Sequence, residues 1–223
     1  MNETAPTAGR DGPLAAVILA AGRSSRMGRM KALLPLSGST VLGLAIRACR
    51  DGGFGPIHVV VGHRAAEVAP AAGAGVKIVE NSRYDEGQLT SLQAGIRSLP
   101  ANVAGALVSP VDHPLVTGRE TALLAAAFRG ERERRRIFVP FFAGREGRPY
   151  LVDRALFPLF LELPAGAPGR RVVWDHPDWV RPVDVESDAV LIDIDTPGDY
   201  ERVRARLSSP PPPPQTPGAL DPS

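Results

Sequence analysis

Residues 17–31 read VILAAGRSSRMGRMK, an apolar run that breaks at Gly22 into a basic loop punctuated by glycine. With Leu14 to Ala16 in front of it, the run over 14–20 has the length and the Leu, Val and Ile content of a strand buried on both faces, as strands of parallel sheets are. Gly22 ends that strand. Glycine there allows a turn with positive φ and leaves no Cβ between backbone N–H groups and an anion, and Gly28 repeats the device. Among Arg23, Arg26, Arg29 and Lys31, the fork of Arg26 and the point charge of Lys31 suit phosphate oxygens. The chain has only two lysines, Lys31 and Lys77, against 24 arginines, so a lysine closing this loop needs a reason. The stretch predicts a grip on a triphosphate. It is not a P-loop, which would end in Gly-Lys-Ser/Thr, nor the Gly-x-Gly-x-x-Gly turn of a dinucleotide fold.

Outward from this loop, strands and helices alternate. Pro35 and Gly38 bracket a turn, and Thr40 caps a helix to about residue 50 with one apolar face. Strands follow at 57–61 (IHVVV) and 76–80, with a short Ala-rich helix around 65–68 between them. A polar loop at 81–89 runs into a helix whose first turn holds Thr90 and Ser91. The next apolar strand, 104–109 (AGALVS), ends in Pro110-Val111-Asp112-His113-Pro114. A helix over 117–128, a strand over 137–142, a loop at 144–149 (GREGRP) and a helix over 154–161 come next. Residues 190–200 (VLIDIDTPGDY) predict a strand and then a helix to about 207, with Thr196 as cap and Pro197 in the first turn. This order is that of an α/β protein with a mostly parallel sheet and helices on both faces.

At 223 residues and 43% hydrophobic content the chain suits one ordinary domain. Residues 1–12 and the Pro-rich tail 208–223 lack apolar periodicity and are expected to be disordered, leaving 13–207 as the domain. No apolar run reaches the roughly 20 residues of a membrane span and the N-terminus is polar, so a cytoplasmic protein is expected. A net charge of +2 does not favour a nucleic-acid partner. The basic run 129–136 (RGERERRR) is broken by Glu131 and Glu133 and suits a solvated helix end. The single cysteine, Cys49, lies in an apolar helical pattern and is expected to be a buried thiol. His63, beside a glycine turn, is expected to be structural or exposed.

Two places can hold a cation. Asp112 stands just past the end of a central strand, where open α/β sheets bind ligands, and one or two carboxylates with substrate phosphates are what Mg²⁺ takes. Asp193 and Asp195, two apart, share a face if their strand is regular. Asp195, at the strand's end, is the first choice to complete a metal shell with Asp112, and Asp193 the second. Asp199 favours the dipole of the following helix.

The loop LAAGRSSRMGRMK resembles the LAAG-x-S-x-RMG-x-x-K signature of the MobA-like nucleotidyltransferases, closest to their molybdenum cofactor cytidylyltransferase branch. Asp112-His113-Pro114 matches that family's strand-Asp-x-Pro motif, and residues 193–197 its Asp-Ile-Asp-Thr-Pro. Asn81, Gly87, Ser91, Leu92 and Gly95 match a segment that holds base and ribose, although Leu89-Thr90 stands where serines are usual. Gly147-Arg148-Pro149 replaces the family's Gly-His-Pro, and 169–173 (GRRVV) resembles its Gly-Ala-Arg segment.

The resemblance implies a Rossmann-like three-layer α/β/α sandwich of the nucleotide-diphospho-sugar transferase type. It implies nucleotide binding by Leu19, Ala20, Ala21, Gly22, Ser24, Arg26, Gly28 and Lys31, with Asn81, Gly87, Ser91 and Asp112. Arg26, Lys31 and Asp112 become the catalytic set, Asp112 and Asp195 the Mg²⁺ ligands, and Arg148 and Arg170 (or Arg171) the acceptor contacts. The expected reaction is transfer of a nucleoside monophosphate, favouring CTP as donor, to the phosphate of a molybdopterin cofactor destined for a molybdenum hydroxylase. The alternatives are a transferase acting on a sugar phosphate or another small phosphorylated metabolite, and a non-catalytic nucleotide-binding partner of a molybdenum enzyme. A nicotinamide oxidoreductase is a third, disfavoured by the missing dinucleotide fingerprint.

Overall fold

The computed structural model describes residues 11–131 and 134–208. The two segments expected to be disordered therefore lie outside the described residues, apart from positions 11, 12 and 208, and so does the middle of the basic run.

Seven strands form one path in the order β10-β7-β9-β6-β1-β4-β5, and an eighth, β8, pairs with β7. The buried centre is β1 (Leu14–Leu19), with β4 (Ile57–Val61) parallel on one side and β6 (Gly105–Pro110) parallel on the other. β5 (Lys77–Glu80) extends the β4 side in parallel. On the β6 side, β9 (Tyr150–Asp153) runs antiparallel between β6 and β7 (Ile137–Phe142), and β10 (Val180–Asp184) pairs parallel with β7 at the outer edge. β8 (Arg145–Glu146) returns from β7 as a short hairpin, and β2 (Pro35–Leu36) with β3 (Ser39–Thr40) makes a separate one at the expected Pro35–Gly38 turn.

Alternation along β1 separates two cores, since successive side chains of a strand face opposite ways. Ala16 and Ile18 pack with helix α1 (Val41–Asp51), α4 (Gly118–Gly130) and α7 (Pro197–Ser208), with Val68 of α2 (Ala65–Ala71) at the border. Ala15, Val17 and Leu19 pack with α3 (Gln88–Ser98), α5 (Phe157–Glu162) and α6 (Arg171–Asp175). The result is the three-layer sandwich expected. Its helices begin where capping chemistry places them: Thr40 Oγ1 accepts from Gly43 N at 3.0 Å, and Thr117 with Glu120 forms a capping box on α4. Cys49 is buried, and that burial pushes its thiol up to about 12. No described helix is long and apolar enough to cross a membrane.

Three local readings differ from the structure. β9 and β10 were not expected as strands. β9 is four residues long, too short for a period to show, and β10 contains Pro182, which only an edge strand with one partner accommodates. The expected strand from residue 190 is instead a 3-10 turn (Asp188–Leu191) followed by unpaired chain. Apolar character there comes from Val190 and Ile194, both fully buried, so burial mimicked the pattern of a strand.

Close packing of α3 on β1 depends on Gly95, where a Cβ would stand 2.3 Å from Val17 Cγ1. Gly95→Ala improves helix propensity by roughly 1 kcal/mol but forces apart a fully buried contact, at a cost of about 1–3 kcal/mol that strains backbone as well as side chain. A net loss of stability is expected, read as a lower urea midpoint with an unchanged slope.

Candidate active site

The loop after β1 turns differently from the sequence expectation. Gly22 does not carry the positive φ; Ser24 does, at 53°, followed by Gly28 at 71°. A left-handed serine costs roughly 1–2 kcal/mol and needs its surroundings to hold it. Ser24 O accepts from Met27 N at 3.0 Å and Gly28 N at 3.2 Å, and Ser24 Oγ accepts from Lys31 N at 3.1 Å. The serine thereby closes the loop and sets the start of the lysine's side chain. Gly22 lines a cleft of about 240 Å³, and a Cβ there would meet no atom within 4 Å. Leu19, Ala20, Ala21, Ser24, Arg26, Lys31, Ser91 and Asp112 line the same cleft.

Lys31, Arg26 and Asp112 of this lining meet Asp195, which itself lies outside it, so the cations and carboxylates proposed from sequence come together. Lys31 Nζ lies 3.3 Å from Asp112 Oδ2 and 2.5 Å from Asp195 Oδ1, and Arg26 Nη1 lies 2.7 Å from Asp195 Oδ2. The lysine side chain is only 13% exposed, so its charge is held with little screening by solvent. Asp195 is positioned by its neighbours: Ile194 N donates to Asp112 O at 2.9 Å, while Asp195 N and Thr196 N donate to Asp199 Oδ2. The hydrogen bond from Lys31, with the charges of Lys31 and Arg26 behind it, holds the Asp195 carboxyl below the usual carboxylate range, against the opposing effects of burial and of the Asp199 charge. Asp193 is exposed, and its charge acts on His113. Asp112 and Asp195 thus converge on one cation. Among the described residues no group of three or more His, Cys, Asp and Glu is placed to hold a metal.

Three residues of the expected nucleotide set stand away from this cleft. Asn81 is buried, and its carboxamide is consumed internally: Nδ2 donates to Thr90 Oγ1 and Ser91 Oγ at 2.9 Å each, and Oδ1 accepts from Arg83 N at 3.0 Å. It fixes the first turn of α3 to the loop after β5. Gly87 adopts φ 118° and ψ 163°, a conformation essentially confined to glycine, and lines a neighbouring cavity. Gly28 serves the turn of the loop itself. Tyr84 and Gln88, which sequence reading passed over, do line the cleft. The available signal for Gln88 was its place at the start of a helix that faces the site.

Next to the cleft, across Gln88 and Pro110, lie two further cavities of about 350 Å³ each that share Arg148 and Arg170 in their walls. One is largely apolar, with Leu92, Val108, Tyr150 and Trp174; the other is polar, with Asp112 and His113. Arg148 reaches this place because β9 is antiparallel: Tyr150 pairs with Val108, so the loop entering β9 lies at the carboxyl end of β6. Burial, and then the charge of Arg170, push the Arg148 guanidinium down. Arg170 forms an ion pair with Glu146. Arg171 is exposed and pairs with Asp175, so of the two arginines it is Arg170 that faces the cavity.

Comparison with known proteins gives this arrangement a context. The chain is 43% identical over 115 residues to a bifunctional IPC transferase and DIPP synthase of Rubrobacter xylanophilus, covering 48% of this chain and only 26% of that protein. It is 28% identical over 199 residues to the molybdenum cofactor cytidylyltransferase of Escherichia coli (86% and 96% covered) and 29% identical over 192 residues to nicotine blue oxidoreductase of Paenarthrobacter nicotinovorans (81% and 91%). A solved nucleotidyl transferase from Methanothermobacter thermautotroptrophicus superimposes with a TM-score of 0.75 at 27% identity, covering 87% of this chain and 97% of that one. Rv0371c of Mycobacterium tuberculosis, solved as a complex with manganese, does so with a TM-score of 0.67 at 27% identity (87% and 98%). The model of the MobA-like NTP transferase domain matches residues 16–179. That match spans well over half of the chain, and the chain belongs to the MobA-like NTP transferase family, a family of nucleotidyltransferases.

Proposed function

We propose that this protein is a divalent-metal-dependent cytidylyltransferase that moves CMP from CTP to the phosphate of a molybdopterin-type cofactor and releases pyrophosphate. The observation that carries the reading is the convergence of Lys31, Arg26, Asp112 and Asp195 at the mouth of a loop shaped for phosphates. Two carboxylates suffice for Mg²⁺ when substrate phosphates and water complete its octahedron, so the donor set fits an ion that arrives with the nucleotide. Asp112 and Asp195 would hold it, and when bound it supplies charge neutralisation at the reacting phosphates. Support for a divalent ion also comes from the manganese complex of Rv0371c, and support for cytidine from the name of the E. coli relative.

In this reading a phosphate oxygen of the acceptor attacks the α-phosphorus of the nucleotide. A new P–O bond forms there as the bond to the β-phosphate oxygen breaks, and pyrophosphate carries the electron pair away. The acceptor phosphate is already largely dianionic at neutral pH, its second pKa being about 6, so no side chain has to remove a proton. What the chain supplies is placement and charge. Lys31 and Arg26 are held near the reacting groups by the carboxylates they neutralise, and they exchange those partners for phosphate oxygens when the nucleotide enters. A cytoplasmic location belongs to the same reading.

The second reading, transfer to another small phosphorylated metabolite, is favoured by the 43% identity to the IPC transferase and DIPP synthase over half of this chain. The relative named as an oxidoreductase makes a nicotinamide assay a necessary control.

Pyrophosphate release is expected with CTP and molybdenum-loaded molybdopterin, and neither with GTP, ATP or UTP nor with nicotinamide oxidation; release with another pairing would change the substrates, and none at all would remove the enzymatic reading. Lys31→Ala is expected to lower kcat by about 10²–10³-fold, the usual effect of deleting one charge-stabilising donor, with circular dichroism unchanged. Chelation should abolish turnover and added Mg²⁺ or Mn²⁺ restore it, whereas Asp195→Asn should raise the metal concentration needed for half-maximal rate.

A further inference from the structure

Trp174 is the most exposed large apolar side chain among the described residues, at 58%. The other tryptophan of the chain, Trp179, is engaged in a stack with His176, ring centroids 3.9 Å apart. Trp174 instead borders a groove of about 380 Å³ whose other walls are Val173, Pro177, Val180, Pro182 and Glu146. The sheet explains why this groove is open. β10 is an edge strand, and its side chains alternate between two faces. Arg181 and Val183 face α4, where Arg181 Nη1 donates to Ala127 O at 3.3 Å. Val180 and Pro182 face the other way, and α6, five residues long, leaves the first half-buried and the second exposed.

The lining restricts what can cover it. Its one charged side chain, Glu146, already pairs with Arg170, so the remaining surface is an indole beside prolines and valines. A proline in an edge strand blunts the free edge against a further strand, so the place suits a segment that packs by its side chains rather than one that extends the sheet. Polyproline segments dock in grooves of this kind, because proline rings pack on aromatic faces and a chain with φ already fixed loses little freedom on binding.

This chain carries such a segment. Residues 209–223 (SPPPPPQTPGALDPS) contain seven prolines and a single charged side chain, Asp221. They follow α7, whose last turn is moored near β10: Arg206 Nη2 lies 2.6 Å from Asp188 Oδ1, and Asp188 comes four residues after the end of β10. At most about 21 Å of chain separates Asp188 from Pro182, whereas the fifteen residues of the tail extend about 47 Å in the polyproline conformation, enough to round the edge of the sheet.

We propose that residues 209–223 dock in the groove between Trp174 and β10 of their own molecule, with prolines packed on the Trp174 ring. Trp174 also belongs to the wall of the cavity that holds Arg148 and Arg170, so the docked tail fixes one wall of that cavity.

A nitroxide attached through Gln215→Cys in the full chain, with ¹⁵N-labelled tryptophan, tests this by NMR; Cys49 is buried and stays unlabelled. The indole N–H signal of Trp174, assigned with Trp174→Phe, is expected to be lost while the nitroxide is oxidised and to return on its reduction, at every protein dilution. Replacing Pro210–Pro214 by alternating glycine and serine should restore most of the signal beside the oxidised label, with circular dichroism unchanged. A Trp174 signal that is never lost, or one still lost after the prolines are replaced, would overturn the inference. So would its loss in a mixture of ¹⁵N chains lacking the nitroxide with unlabelled chains that carry it, because the occupant would then be the tail of a second copy.

Discussion

One ammonium group holds the site together. Lys31 Nζ lies between Asp112 and Asp195, residues 81 and 164 positions away, and so ties the loop after β1 to the turn after β6 and to the entrance of α7. Such a pair is weak evidence for stability, because removing charges from water costs about as much as their attraction returns. Its value lies in geometry. With Arg26 also on Asp195, two cations and two carboxylates are kept nearly neutral and close, where an incoming polyphosphate would otherwise have to gather them from solvent.

The sheet decides why these groups can meet. From β1 the chain builds outward on the β4 side and then returns to place β6 on the other flank, which opens a crevice at the carboxyl ends of β1 and β6. The loop with Lys31 and the turn with Asp112 both emerge there. The antiparallel course of β9 adds a third contribution to that edge, since it brings Arg148 to the carboxyl end of β6 although Arg148 precedes its own strand. A parallel β9 would have carried the arginine to the opposite edge. Gly147 completes the approach: a Cβ there would stand 2.5 Å from Val190 Cγ2, and Arg148 N donates to Val190 O at 2.8 Å.

Residues that look alike in a motif divide their labour in space. Asn81 and Ser91 fall in one short polar segment, yet Asn81 spends its carboxamide on the start of α3 while Ser91 borders the cleft. In the first loop, Ser24 rather than Gly22 takes the left-handed turn, and the serine hydroxyl, which accepts from Lys31 N, is what a glycine could not have supplied. Asp193 and Asp195, two positions apart, differ in the same way: only Asp195 has its backbone fixed by Asp199 and its carboxylate on the lysine.

Local physics was enough to read much of this from the chain. Apolar runs long enough to be buried on both faces marked β1, β4, β6 and β7, and capping residues such as Thr40 and Thr196 marked helix starts, because those preferences act over a few neighbouring residues. For the same reason Gly22, Arg26, Lys31 and Asp112 stood out as one chemistry in the order in which the chain presents them. What lay beyond sequence was whatever depends on partners distant along the chain. The four residues of β9 show no period and take their strand character from pairing on both sides, and Pro182 is tolerated only because β10 has a single neighbour. The internal use of Asn81 and the placing of Arg148 and His113 in one cavity were likewise decided by tertiary structure, as was the reason that Asp195 rather than Asp193 meets Lys31, since the strand on which that preference was argued is absent. Each is a matter of which side chain faces which across the sheet, and spacing along a chain does not carry that direction once the backbone leaves a regular helix or strand.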